Sequence, residues 1–380
     1  MTEEKAKKAV LYVFSGTGNT QKIADLYADA LRGGGVSVTV HKITADFSDL
    51  PDPAGFDYMG IGYPIHAFNA PEIVTDFVKS LPYFNFPESL IPAQRKEYFV
   101  FKTSGEPLKL NNASSNKLVY VLKKKGYRLT NEYHYAMPYN MVFRHGGDIV
   151  RKMWEAAKKL CPVDVAEILS GEKSLLKKPF LGKPLAYLFR IEQFAMRVNG
   201  RFFGVDRAKC TNCGKCVKNC PTSNIRMTDD GLCFGWKCVM CARCSFYCPQ
   251  NAISIALLNG WKVNGAYDFK AAGDCAAEGL KNNTANGCEE NGLKKNTADG
   301  RAAEGFSAGY SFDGCTDDPS DPHADFCKEA YEKYFARAQE KIAAAKDKMK
   351  IAAKTEHTAQ NEQSEFDGCP DCFQSSNFSK

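Results

Sequence analysis

Eight cysteines in two matching sets carry the most specific chemistry in this sequence. The stretch CTNCGKCVKNCP, Cys210 to Pro221, sets three cysteines at steps of three, then a fourth one step late and stopped by proline. CVMCARCSFYCP, Cys238 to Pro249, repeats it cysteine for cysteine and proline for proline at an offset of 28 residues, and the copy extends outward to Ile225 and Ile253. Thiolates are soft ligands that suit iron–sulfur clusters or zinc. Zinc normally takes two short Cys-x-x-Cys arms. Three thiolates in steps of three instead wrap three corners of one cubane, and a fourth set off before proline reaches the neighbouring cluster. The spacing therefore assigns Cys210, Cys213, Cys216 and Cys248 to one 4Fe–4S cluster and Cys238, Cys241, Cys244 and Cys220 to a second, with zinc as the alternative metal. Small residues at Gly214 and Ala242 let backbone amides approach the cluster sulfides. Cys233, between the motifs, is expected to be a buried thiol and not a ligand.

A second site is written in YVFSGTGNTQKIA, where a short apolar run ends and helical periodicity begins. It lacks the Gly-Lys-Ser/Thr of a Walker loop, and Gln21 stands where a dinucleotide fingerprint needs its third glycine. What remains is Ser15, Thr17, Asn19 and Thr20 around Gly16 and Gly18: hydroxyls and free amides that suit one phosphate at a helix N-terminus, without a lysine. The glycines let backbone close in without a Cβ. A capped helix start looks similar, so position in the fold is what gives the loop meaning.

The elements that must hold these residues follow from periodicity. AVLYVF (9–14), YMGIGY (58–63) and YFVFKT (98–103) are apolar runs of strands buried on both faces. Val36, Val38 and Val40 alternate in a further strand, and YRLTNEYHY gives a fifth. Helical spacing separates them, at Ile23–Leu31, after Pro71, at Leu118–Leu122, and from Asp148 to Leu160. Five strands with helical crossovers imply an α/β, doubly wound, parallel five-stranded sheet over residues 1–160. Residues 161–205 read as a basic and apolar helical bridge, its stripe buried between two domains. The cysteine unit occupies 206–260. A Gly-, Asn- and Ala-rich segment with a thirteen-residue period (CAAEGLKNNTANG, CEENGLKKNTADG) marks 261–323 as a low-complexity linker. A charged helix, from about Ala324 to Ala353, and a tail fill 324–380.

Residues 206–260 resemble the bacterial two-cluster ferredoxins, with all eight motif cysteines and both prolines in place. The resemblance implies a small α+β domain of two short helices and two hairpins with pseudo-twofold symmetry, carrying one electron at low potential. Residues 9–160 resemble flavodoxins, whose phosphate loop, Ser/Thr-x-Thr-Gly-x-Thr, is matched by Ser15 to Thr20. That resemblance implies FMN at the switch point of the sheet, held by Ser15, Gly16, Thr17, Gly18, Asn19 and Thr20. The loops GYPIHAFNAP (62–71) and TSGEP (103–107) would then flank the flavin ring, through Tyr63, His66, Phe68 and Asn69 on one edge and Thr103, Ser104 and Gly105 on the other. His66 could donate to the reduced ring, and Asn140 is a further contact. Unlike typical flavodoxins, the domain has no tryptophan before Trp154.

The 380-residue chain carries a net charge of +6 without basic runs, which argues against nucleic acid as a partner. No apolar segment is long enough to span a bilayer, and MTEEKAKKAVLYVF lacks the layout of a signal peptide, so the expected location is cytoplasmic. Sixteen cysteines fit metal ligation there better than disulfides. Of the six beyond the cysteine unit (275, 288, 315, 327, 369 and 372), only Cys369 and Cys372 have ligand spacing. The combination resembles bacterial flavodoxin–ferredoxin fusions, and implies an electron-transfer protein that couples FMN to two 4Fe–4S clusters. Its redox partner would be a ferredoxin, a flavodoxin or a reductase. A reductase acting directly on NAD(P)H or a small substrate is the alternative, although no nicotinamide fingerprint is present. An oxygen- or redox-responsive regulator is the third reading.

Overall fold

The computed structural model describes residues 6–84, 95–180, 182–269 and 322–367. Strands β1 (Lys8–Val13), β2 (Ser37–Lys42), β3 (Tyr58–Pro64), β4 (Lys96–Ser104) and β5 (Tyr127–Ala136) form one sheet in the order β2-β1-β3-β4-β5. Every pairing is parallel. This is the flavodoxin-like strand order, with its switch point between β1 and β3. The apolar runs are the interior strands: Ala9 to Val13 and Ile61 are at most 1 % exposed. β2, with its alternating valines, is an edge strand and only half covered. Helices α1 (Asn19–Gly33), α2 (Glu72–Ser80), α3 (Asn116–Lys124) and α4 (Gly147–Leu169) cover the sheet, each burying one apolar stripe.

The sequence reading stops α4 near Leu160, yet the helix runs on to Leu169 with Pro162 inside it. Proline forfeits one backbone hydrogen bond, but Leu160, Cys161, Val165 and Ile168 are all buried beyond or beside it. That apolar face outweighs the lost bond. The bridge then consists of α5 (Gly182–Leu188) and α6 (Arg190–Arg201). Its stripe is not the buried inter-domain face expected: Phe180, Tyr187, Ile191 and Phe194 are 68–96 % exposed. Only part of it is covered, at Ala186 and Phe203, and polar bonds help to seat the bridge. Gln193 Nε2 donates to Ala70 O at 3.1 Å, Arg197 pairs with Glu72, and Asn199 Nδ2 donates to Ile255 O at 2.9 Å.

The cysteine lobe contains β6 (Gly204–Val205), a helical turn α7 (Lys215–Lys218), β7 (Ile225–Thr228), β8 (Gly231–Phe234), a second turn α8 (Arg243–Phe246) and β9 (Ile253–Ser254). Of the two expected hairpins only β7–β8 is one; the other strand pair, β6 with β9, ties the ends of the lobe together. The duplication is visible in the backbone. Asn212 and Met240, Gly214 and Ala242, and Ser223 and Asn251 are related by the sequence offset, and all six have positive φ. Cys233 is half-buried on the hairpin, not fully buried.

The linker expected over 261–323 does not begin at residue 261. Residues 261–269 return to the first lobe: Val142 N donates to Trp261 O at 2.8 Å, Arg144 donates to the carbonyls of Asn264, Gly265 and Ala266, and Tyr267 donates to Tyr139 O. By contacts the chain divides into Met1–Tyr331 and Glu332–Lys380, the second dominated by the helix Pro322–Asp367. The thirteen-residue repeats and Cys275, Cys288, Cys315, Cys369 and Cys372 lie outside the described residues. Among the described residues no helix is long and apolar enough to cross a membrane.

Candidate redox site

The hydroxyl-rich loop sits between β1 and α1, where the sheet reverses direction. Gly18 caps α1 with φ 103, a left-handed conformation that favours glycine, and no side chain caps the helix. The amides of the first turn are thus left for a ligand. Within the loop, Gly18 N donates to Ser15 Oγ at 3.1 Å, and Thr20 Oγ1 lies 2.8 Å from Thr103 Oγ1, joining the loop to the end of β4. Asn19 Nδ2 donates to Pro138 O at 2.6 Å, so its amide braces the β5–α4 loop.

A cavity of about 520 Å³ opens beside this loop, within the range of small-ligand and cofactor sites. Ser15, Gly16, Thr17, Asn19, Thr20, His66, Phe68, Thr103, Ser104, Gly105 and Asn140 all line it. Gly18, Tyr63 and Asn69 do not. Tyr63 is fully buried under the sheet with its hydroxyl 3.5 Å from Ser114 Oγ, and Asn69 spends its amide on Ala67 O and Ala186 O. The Asn69 bonds serve a tight turn: His66 and Asn69 exchange backbone hydrogen bonds, while Ala67 (φ 46) and Phe68 (φ 56) both adopt left-handed backbone. Two successive positive φ values define a type I′ turn, costly for non-glycine residues and held here by the bridge. Phe68 packs on Phe189 with ring centroids 4.9 Å apart.

Burial lowers the His66 pKa to about 4, against the pull of the Val239 carbonyl, so the ring is neutral near pH 7. At the other edge His134 Nε2 lies 2.7 Å from Ser104 Oγ, and Asn111 donates to Ser104 Oγ and Glu106 O, which fixes the β4 loop. A Cβ on Gly105 would lie 2.4 Å from the Tyr139 ring.

Much of the cavity wall comes from outside the first lobe, and the sequence reading missed it. Glu192, Met196 and Asn199 of α6 line the cavity, with Met240 of the second cysteine motif and Leu258 and Trp261 that follow it. Trp154 instead lies near Lys22 and Phe269; the tryptophan at the cavity is Trp261.

The eight cysteines border two small cavities of the lobe. Cys210, Cys213, Cys216 and Cys248 line one small cavity, which Cys244 also borders; Cys220, Cys238, Cys241 and Cys244 line another. Burial pushes the Cys238 thiol up to about 12, with Cys241 and Cys220 adding to the shift, and raises Cys244 for the same reasons. Crowded buried thiols resist ionisation, a cost that a cationic metal centre relieves. Among the described residues no three His, Cys, Asp or Glu side chains converge as a single ion would require. Asn224 N donates to Cys220 Sγ and Ala252 N to Cys248 Sγ, each at 3.3 Å, a matching pair at the duplicated positions.

The second motif presses directly on the phosphate loop. Cys241 is 9 % exposed and belongs to the core of the first lobe, and its carbonyl oxygen lies only 2.6 Å from where a Cβ on Gly16 would stand. Asn140 Nδ2 reaches the same carbonyl at 3.5 Å. Cys213, in the first motif, is exposed.

The family model described as a 4Fe-4S binding domain matches residues 202–225, which include Cys210, Cys213, Cys216 and Cys220. No curated protein matches the chain by sequence. Similar solved structures include the Streptococcus pneumonia TIGR4 flavodoxin, at 22% identity over 33% of this chain and 82% of that one, TM-score 0.26. A flavodoxin from the domain Archaea is 15% identical over 43% of this chain and 99% of that one, TM-score 0.28. A flavoprotein from Lactobacillus acidophilus NCFM, solved in complex with FMN, is 14% identical over 34% of this chain and 93% of its own, TM-score 0.25. The fold assignment rests on the strand order itself. The strand order gives a flavodoxin-like lobe, and the family model places a 4Fe-4S binding domain beside it.

Proposed function

We propose that the chain binds FMN in the cavity and two 4Fe–4S clusters on the eight cysteines, and passes electrons between the flavin and a separate redox partner by way of the clusters. One observation supports this reading: the second cysteine motif contributes to the cavity wall through Met240, and Cys241 packs on Gly16 of the glycine-rich loop. When bound, FMN would supply two-electron chemistry and the clusters one-electron transfer. The residues divide the remaining work. The uncapped start of α1, with Ser15, Thr17 and Thr20, would hold the phosphate. The turn at Phe68, the Ser104–Gly105 loop and Asn140 would bound the ring, and neutral His66 offers no positive charge to it. Met196, Leu258 and Trp261 supply an apolar wall on the side that faces the iron–sulfur lobe. Exposed Cys213 puts the first cysteine set at the surface, where a partner protein can approach.

Anaerobic purification followed by visible and EPR spectra, with flavin and iron counted per chain, tests the cofactors. The expected result is one flavin and about eight irons; absence of flavin, or about four irons, overturns that part. Reduction is then followed by flavin bleaching. Reduced ferredoxin or dithionite should bleach the flavin and NAD(P)H alone should not. Bleaching by NAD(P)H without a partner would make the protein a reductase in its own right.

A further inference from the structure

Three consecutive carbonyls of the phosphate loop are fastened by side chains of the iron–sulfur lobe. Arg243 donates through one terminal nitrogen to Ser15 O and through Nε to Gly16 O at 2.7 Å, and Tyr247 Oη donates to Thr17 O at 2.5 Å. A trans peptide points its carbonyl and the following N–H in opposite directions. Tying the Ser15 and Gly16 carbonyls outward therefore turns the Gly16 and Thr17 amides toward the cavity that both residues line. The other terminal nitrogen of Arg243 donates to Asn219 O at 3.1 Å, beside the ligand Cys220. One guanidinium thus spans the phosphate loop and both cysteine motifs, a reach that a lysine ammonium lacks.

The duplication supplies an independent sign. At the offset of 28 residues Arg243 corresponds to Lys215 and Tyr247 to Asn219, and both of these are exposed. The copies keep every cysteine and differ at the two donors that reach the loop.

We propose that Arg243 and Tyr247 are positioning residues for the flavin phosphate, so that the iron–sulfur lobe preorganises the FMN-binding loop and FMN is held firmly only when that lobe is folded around its cysteines. The inference rests on the FMN reading above. It requires no change in the flavin contacts themselves; the side chains act through the backbone they orient.

The test is FMN titration of full-length, iron-loaded protein stripped of flavin, read by quenching of flavin fluorescence, with iron counted in each sample. Arg243→Lys should weaken FMN binding by about tenfold or more and Tyr247→Phe by a few fold, both at wild-type iron content. Lys215→Gln, the same position in the first copy, should bind FMN as wild type does. Removing iron from the wild-type protein with a chelator should also loosen FMN. Arg243→Lys with full iron and unchanged affinity overturns the clamp while leaving FMN binding intact. Equal weakening in Lys215→Gln overturns it too, because the effect would then be general to the lobe. Failure of the wild-type protein to bind FMN at all would instead bring down the underlying flavin reading.

Discussion

Gly16 shows how one residue can serve two lobes. As sequence it is a phosphate-loop glycine; in the structure its missing side chain is the space into which the Cys241 carbonyl fits. Because that neighbour is backbone, it cannot swing away. Gly16→Ala should destabilise the protein by about 1–3 kcal/mol, as overpacking does, and lower its flavin content, measured by thermal unfolding and by the flavin-to-protein ratio. The cysteines separate equally well by role. Cys241→Ser should cost one cluster, about four irons, whereas Cys233→Ser, half-buried and outside both sets, should leave the iron count alone. His134 makes stability depend on pH. Burial, and after it the Lys102 charge, lowers its pKa to about 3, below its unfolded value of about 6.5. The folded state therefore resists a proton that the unfolded chain accepts. Its contribution is full above about pH 6.5, shrinks by up to about 1.4 kcal/mol per pH unit below that, and is gone by about pH 3. Denaturant midpoints at pH 7 and pH 5 should fall with pH, and by less in His134→Gln.

At the scale of elements, the joint between β4 and β5 contains a buried ion pair. Lys102 Nζ lies 2.8 Å from Glu132 Oε1, with side chains 0% and 1% exposed. Ser115, the Asn112 carbonyl and Lys178, whose Nζ lies 3.9 Å from Glu132 Oε2, join the group. Burial lowers the Lys102 pKa to about 8, and the Glu132 charge opposes the shift. Lys102→Met alone would leave the buried carboxylate with only the more distant Lys178 and should destabilise by about 3–5 kcal/mol, while changing both partners to apolar residues of similar size should recover much of it. Chemical denaturation of the single and double variants measures the difference. The same strand ends in Thr103 and Ser104, so a weakened joint should also loosen the loop at the cavity. Elements were legible in the sequence wherever burial followed a simple period, as in β1, β3 and β4. Pro162 concealed the end of α4, because a local helix breaker was outweighed by apolar contacts distant in sequence.

Across the whole molecule, the cavity is a joint product of three segments: the flavodoxin-like loops, α6 of the bridge, and the iron–sulfur lobe with Trp261. A flavin seated there would face the chain's own cysteine motif. Amino-acid order alone gave the eight cysteines their two matching spacings, which are the pattern proposed for the clusters, and it made the glycine-rich loop and the parallel sheet legible, because these arise from local spacing, periodicity and turn chemistry. Only the tertiary structure decided that the second motif, not the first, meets the glycine-rich loop after β1. The two cysteine sets are equivalent as ligands, and what distinguishes them is contact between residues more than two hundred positions apart, Gly16 with Cys241 and Thr17 with Tyr247. A trace of that decision was present: the second copy has Val239, Met240 and Phe246 where the first has Thr211, Asn212 and Lys218. Its apolar character had no meaning until the surface it covers was known, since burial belongs to a pair of surfaces and neither sequence segment specifies it by itself.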